Sequence, residues 1–204
     1  MTTVYTRAVR VLAAIALVTS LVACSSTLPR YDYASEPDPR GKPFVIGVSD
    51  VLRVSVWKNP GLTTSAPVSP DGTITMPLVG EVKASGKTTS RLKTEIQAKL
   101  NAYLKDQAAV VTVTVSEVNS YRFSVSGEVA NPGVFSSKSY VTVVEALALA
   151  GGFTRFAESG SIGIVRKGVD GTLRTIPVSY EAITKGGRED MNIVILAGDR
   201  VQVP

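Results

Sequence analysis

The amino-acid sequence predicts an α+β fold: two small β-rich modules, each built around one main helix, behind an N-terminal leader. Three observations predict it. Apolar residues recur at helical spacing in only two stretches of the main body, 89–104 and 143–150. The segments around them are short, valine-rich and alternating, as half-buried strands are. Turn-forming clusters separate them: Asn59-Pro60-Gly61, Pro70-Asp71-Gly72 and Asn131-Pro132-Gly133. Strands grouped around single helices, rather than alternating regularly with them, belong to the α+β class.

The leader comes first. Met1–Arg10 carries Arg7 and Arg10 and no acid; an apolar run, Val11–Val18, follows, and then Thr19-Ser20-Leu21-Val22-Ala23-Cys24. This is the n-region, h-region and small-residue cleavage layout of a secretory signal. The run is shorter than the ~20 residues a helix needs to cross a bilayer. Leu21-Val22-Ala23-Cys24 resembles the bacterial lipobox, which implies removal of residues 1–23 and lipidation of the Cys24 thiol. Cys24 is the only cysteine among 204 residues, and an unpaired thiol is otherwise unusual in an oxidising compartment. Several acyl chains, at ~0.8 kcal/mol per buried methylene, anchor a protein stably. Ser25, not Asp, follows the cysteine, which by resemblance to sorting rules favours the outer membrane. Residues 24–43 hold Pro29, Pro37, Pro39 and Pro43 and almost no apolar periodicity, and read as a flexible tether.

Composition excludes most catalytic chemistry. There is no histidine, so Ser-His-Asp and Cys-His arrangements and His/Cys zinc sites are ruled out; no cofactor or metal is expected. Ser90-x-x-Lys93 resembles the opening signature of serine acyl-enzymes but lacks its Ser-Asp-Asn and Lys-Thr-Gly companions, and Ser90 lies where hydroxyls cap a helix. The acids of Asp71-Gly72, Asp170-Gly171 and Glu189-Asp190 lie in turn-like contexts and read as solvated loops rather than a glycosidase pair. The chain does not read as an enzyme. Its 22 Lys+Arg against 17 Asp+Glu give a net charge of +5. The cations are scattered, with Arg166-Lys167 the one adjacent pair, so no nucleic-acid partner is expected.

The first module is read as 44–118. Val51, Leu52, Val54, Val56 and Trp57 form a strand-like run, with Trp57 assigned to the core as the aromatic end of a buried strand. Val68–Met76 reads as a hairpin about Asp71-Gly72. Leu92, Ile96, Leu100, Tyr103 and Leu104 mark one face of a helix over 89–104 that opens on Thr88–Ser90. Ala109–Val118 alternates as a half-buried strand.

The second module is read as 119–204. Tyr121–Val129 is a strand, followed by the Asn131-Pro132-Gly133 turn, in which Gly133 is a candidate for positive φ. Thr142-Val-Val-Glu145 is a capping box opening a short helix that Gly151-Gly152 closes. Strands follow at 162–166, 173–178 and 200–203.

Several blocks carry a family resemblance. They are Ile46–Trp57, Val68-Ser-Pro-Asp-Gly-Thr-Ile-Thr-Met-Pro-Leu-Val-Gly-Glu-Val82, Val125-Ser-Gly-Glu-Val-Ala-Asn-Pro-Gly-Val-Phe135, Ala146–Gly152 and Ala197-Gly-Asp-Arg-Val-Gln-Val-Pro204. Together they resemble the outer-membrane polysaccharide export proteins, with a polysaccharide export domain (44–118) and a soluble-ligand-binding β-grasp domain (119–204). The pattern departs at Val48-Ser49, where the family usually has Pro-Gly. The resemblance implies a lipid-anchored, periplasm-facing outer-membrane subunit of a capsule or exopolysaccharide export machine. Its implied partners are further copies in a ring-shaped homo-oligomer, an inner-membrane polysaccharide co-polymerase and the exported polysaccharide. Since the sequence ends straight after its last strand, it resembles a short member that would need a separate outer-membrane exit protein. The alternative is a monomeric glycan-binding lipoprotein; a polymer-trimming hydrolase is a weaker rival. Cys24, as the lipidation site, is the one functional residue assigned.

Overall fold

The computed structural model describes residues 30–104, 109–168 and 170–204; residues 1–23, read above as a signal, and Cys24 lie outside them. Residues 31–204 form one compact unit of α+β architecture, with open sheets rather than a closed barrel.

The first sheet has three antiparallel strands: β1 (Val51–Val56) lies between β2 (Thr64–Pro67) and β5 (Val111–Glu117). A separate hairpin joins β3 (Thr73–Met76) to β4 (Gly80–Lys83). Helix α1 (Thr89–Asn101) starts at Thr88, whose hydroxyl accepts from the Arg91 N–H. It buries Leu92, Ile96 and Leu100 completely. That one-face spacing is the sequence signal, and these side chains share a core with Leu52, Val54, Ile74, Met76, Val82 and Val111.

Two readings change here. Asp71-Gly72 does close a tight turn of hairpin type, with Gly72 N–H donating to Ser69 C=O at 2.7 Å and Ser69 N–H to Thr73 C=O at 2.8 Å, but the pairing goes no further, since β2 and β3 lie in different sheets. Burial decides the pairing: Ile74 and Met76 need an apolar companion face, which Val82 supplies as Ile74's register partner. The helix stops at Asn101 and not 104; Leu104 still donates to Leu100 C=O at 3.0 Å, while Tyr103 points to solvent.

The second sheet runs β7 (Gly133–Ser136), β6 (Arg122–Gly127), β10 (Arg200–Val203), β8 (Ile162–Lys167), β9 (Leu173–Val178). The C-terminal strand lies in the middle, parallel to β6 and antiparallel to β8, the β-grasp arrangement. Helix α2 (Val143–Leu149) has the expected capping box between Thr142 and Glu145. It ends on Gly151 and Gly152, both near φ +80°, with Gly152 N–H reaching back to Leu147 C=O at 3.0 Å. A short helix not read from the sequence, α3 (Tyr180–Thr184), is capped by Ser179. The Tyr121 hydroxyl, in the core, donates to Ile195 C=O at 2.9 Å and accepts from Val141 N–H at 3.1 Å.

The turn glycine that matters is not Gly133. Its φ is outside the left-handed region, and a Cβ there would meet nothing within 4 Å. Gly127 instead has φ +90°, and a Cβ on it would lie 1.8 Å from the Val203 carbonyl oxygen, because β10 passes hard against β6.

The tether reading fails over residues 31–36. Tyr33 is buried and its hydroxyl donates to Pro177 C=O at 2.5 Å. The Glu36 carboxylate accepts from Arg166 at 2.7 Å and Arg174 at 2.8 Å. Prolines signal lost hydrogen bonds but are silent on side-chain docking, and two side chains suffice to hold this segment on β8 and β9.

Candidate functional site

The lipidation candidate Cys24 lies outside the described residues. Ser90 and Lys93 are exposed on the first turns of α1, and Thr88, not Ser90, is the cap. The turn acids stay apart in separate turns. Asp71 and Asp170 each accept the N–H and hydroxyl of a threonine two residues on, Thr73 and Thr172. These bonds hold both carboxyls below the usual aspartate range. Asp190 pairs with Arg188 at the surface, which lowers it likewise.

Two acids converge at a place that no sequence motif marks. Arg166, buried on β8, grips both oxygens of Asp199 at 2.6–3.1 Å, the Glu36 carboxylate at 2.7 Å and the Val194 carbonyl at 2.8 Å. Each carboxylate is thus held by guanidinium hydrogen bonds in a dry site. That geometry suits a structural clamp; a general acid or base must exchange protons with substrate.

Asp199 has a counterpart in the first module. Asp199 accepts the N–H of Leu196, and Asp50, also buried, accepts the N–H of Gly47, each three residues upstream and just before a strand. Asp50 further accepts from Asn119 N–H, Ser120 N–H and the Ser120 hydroxyl, at 2.8–2.9 Å. One carboxylate therefore stitches the start of β1 to the link between the two sheets. The backbone leading into Asp50 is tight: Ser49 has φ +73°, a conformation that suits glycine.

The surface feature with binding character is at the end of β1. Trp57 is 70% exposed, which corrects its assignment to the core. Leaving so large a ring in water forgoes on the order of 2 kcal/mol of burial. The phase of the strand explains its position: Leu52, Val54 and Val56 point inward, so Trp57 shares the outer face with Arg53 and Ser55. Its backbone is fixed from two sides, the N–H donating to Val110 C=O at 2.9 Å and the C=O accepting from the Asn59 amide at 3.1 Å. A turn closed by Asn59 N–H to Val56 C=O at 3.1 Å places Lys58 at φ +59° beside it. Together Ser55, Val56, Trp57, Lys58, Pro60, Thr63, Val110 and Thr112 line an open cleft of about 290 Å³. Strand parity was the signal that could have found it.

A second cleft, about 440 Å³ between Arg40, Thr142, Val144 and the Ile183–Asn192 region, mixes both charges and has no aromatic among its described lining. No helix among the described residues is long and apolar enough to cross a membrane.

Comparison with known proteins fits the two sheets. Residues 38–116 match the polysaccharide biosynthesis/export protein family and residues 122–177 the SLBB domain. The chain is 32% identical to the EPS I polysaccharide export outer membrane protein EpsA of Ralstonia nicotianae, over 80% of this chain and 48% of that protein. It is 32% identical to the exopolysaccharide production protein ExoF of Rhizobium meliloti, over 72% of this chain and 34% of that protein. It is 25% identical to the capsule polysaccharide export protein BexD of Haemophilus influenzae, over 78% of this chain and 43% of that protein. The chain thus spans half or less of the length of these relatives. With both family matches in order along one compact unit, and relatives named for export of extracellular polysaccharides, the chain belongs to the polysaccharide export protein family.

Proposed function

We propose that this protein is a non-enzymatic subunit of a capsule or exopolysaccharide export machine, anchored to the outer membrane through a lipidated Cys24 and facing the periplasm. The observation that carries the reading is the ordered pair of export and SLBB modules shared with relatives that are named export proteins. The mechanism is passive: copies of the chain assemble into a ring, dock onto an inner-membrane polysaccharide co-polymerase, and hold a path for polymer whose driving force lies upstream. The second sheet supports lateral assembly, since it ends in edge strands β7 and β9 with Val134 and Leu173 each 71% exposed, and unpaired edges are templates for association.

Light scattering behind size exclusion, on a soluble Cys24→Ser form with and without the co-polymerase, tests this. A defined oligomer in either condition supports the ring. A strict monomer in both would favour the second reading, a monomeric glycan-binding lipoprotein, for which the Trp57 cleft, complete within one chain, is the supporting observation. Fractionation tests the anchor: Cys24→Ser should leave the outer-membrane fraction or remain unprocessed. Retention there with no mass difference from wild type would remove lipidation from the proposal.

A further inference from the structure

We infer that the cleft beside Trp57 is a saccharide subsite, where the indole stacks on one face of a sugar ring and Lys58 pairs with a carboxylate carried by the polymer. The inference rests on the export reading for the class of ligand and deepens it by naming the place and chemistry of contact.

The first support is rigidity. The indole is 70% exposed, yet its backbone is fixed by Val110 and Asn59. No backbone has to be ordered when the ring takes a ligand. The second is the lining. Hydroxyl residues Ser55, Thr63 and Thr112 lie among Val56, Pro60 and Val110. A pyranose is the same mosaic, with apolar C–H faces and polar edges. The Thr63 hydroxyl accepts from Val56 N–H at 3.3 Å, which leaves its own proton to donate outward. The third is charge: among the described residues the lining holds one cation, Lys58, and no acid. That favours a carboxylated sugar over a neutral one.

A second copy of the chain is the competing occupant. The cleft, about 290 Å³, has the size for a sugar ring or two and lies just below the usual range of ligand clefts. A stable protein interface needs ~800 Å² per partner.

The chain's single tryptophan makes the test direct, because all tryptophan emission comes from this cleft. The soluble Cys24→Ser chain would be titrated with tetragalacturonate and, in parallel, with neutral maltotetraose. We expect a saturable change in emission with tetragalacturonate, weakened by salt, and binding of maltotetraose weaker by up to about fivefold, the worth of a partly exposed ion pair. Lys58→Gln should erase that difference. Trp57→Ala, followed by calorimetry, should abolish binding while leaving the circular dichroism spectrum of the fold unchanged. The proposal is overturned by unchanged emission with both oligomers, by full calorimetric binding in Trp57→Ala, or by emission that shifts with protein concentration alone, which would assign the cleft to a second copy. An export assay separates the two levels of inference. If deleting the gene leaves polymer export intact, the export reading fails. If deletion stops export but Trp57→Ala exports normally and the titrations are silent, only the subsite fails.

Discussion

Replacing Gly127 by alanine would put a methyl carbon 1.8 Å from the Val203 carbonyl oxygen, with Val203 C and N at 2.9 and 3.2 Å. All three are backbone atoms of the central strand, so no side chain can swing away, and β10 or β6 must move by more than an ångström. The move disturbs the end of the β6–β10 ladder, where Gly127 faces Val203, and the 3.0 Å bond from Glu128 N–H to Val203 C=O. A lost hydrogen bond costs about 1 kcal/mol, overpacking about 1–3, and a left-handed backbone imposed on alanine about 1–2. We expect a loss of at least ~3 kcal/mol from these contributions. Urea unfolding of the soluble Cys24→Ser background, followed by far-ultraviolet circular dichroism, reads this as a lowered midpoint at unchanged slope. Gly133→Ala is the matched control: ordinary φ and open space predict a change within about 0.5 kcal/mol. If the two variants shift the midpoint equally, the close approach of β10 to β6 is not what Gly127 is for.

Ser49→Gly should stabilise by about 0.5–1 kcal/mol, because φ +73° costs serine what it does not cost glycine; a midpoint that falls would show the hydroxyl to matter more than the backbone. Arg166→Ala should cost about 3–5 kcal/mol by leaving Glu36 and Asp199 as uncompensated buried carboxylates, and a loss under ~1 kcal/mol would mean that water reaches the clamp. At low pH, Asp71 and Asp170 have depressed folded pKa values, so their stabilisation is present above the unfolded aspartate value near 3.9 and is lost as pH falls through the folded values. Asp71→Asn with Asp170→Asn should flatten the acid limb of a stability–pH curve below about pH 4. At high pH, burial raises the Tyr121 hydroxyl, so its contribution is present below the unfolded value near 10 and is lost as pH rises through the folded value. Tyr121→Phe should reduce the alkaline slope, to which the likewise raised Tyr31 and Tyr33 hydroxyls add, and an unchanged alkaline limb would refute the assignment.

Much of the fold was legible because it rests on local rules. Leu92, Ile96 and Leu100 at one-face spacing, the Thr142–Glu145 box and the Gly151-Gly152 stop are all short-range signals, and each appears where the sequence places it. Strand limits for β9 and β10 follow the alternation to the residue. What escaped depends on distance along the chain. No local pattern says that β3 pairs forward with β4 instead of back with β2, or that Glu36 reaches Arg166 across 130 positions.

The site was hidden for a different reason. The core assignment of Trp57 rests on residue types, an aromatic ending a strand rich in buried-type residues; parity along β1 gives the opposite answer, because Arg53 and Ser55 share its face. When type and phase conflict, phase is the stronger evidence, since a one-residue change of register turns every side chain of a strand to the other face. The same conflict separates Asp50 from Asp71. Both are single aspartates before strands, yet Asp71 is solvated at a turn tip, while Asp50 lies buried at a junction because Gly47 lets Ser120 come close enough for a Cβ there to clash at 2.3 Å. A buried carboxylate needs hydrogen-bond partners to offset its lost hydration, and the four donors that Asp50 receives come from both sides of the junction. The link between the export and SLBB modules is therefore not a free string at this point: the carboxylate that shapes the entry to β1 also holds the chain leaving β5, at Asn119 and Ser120.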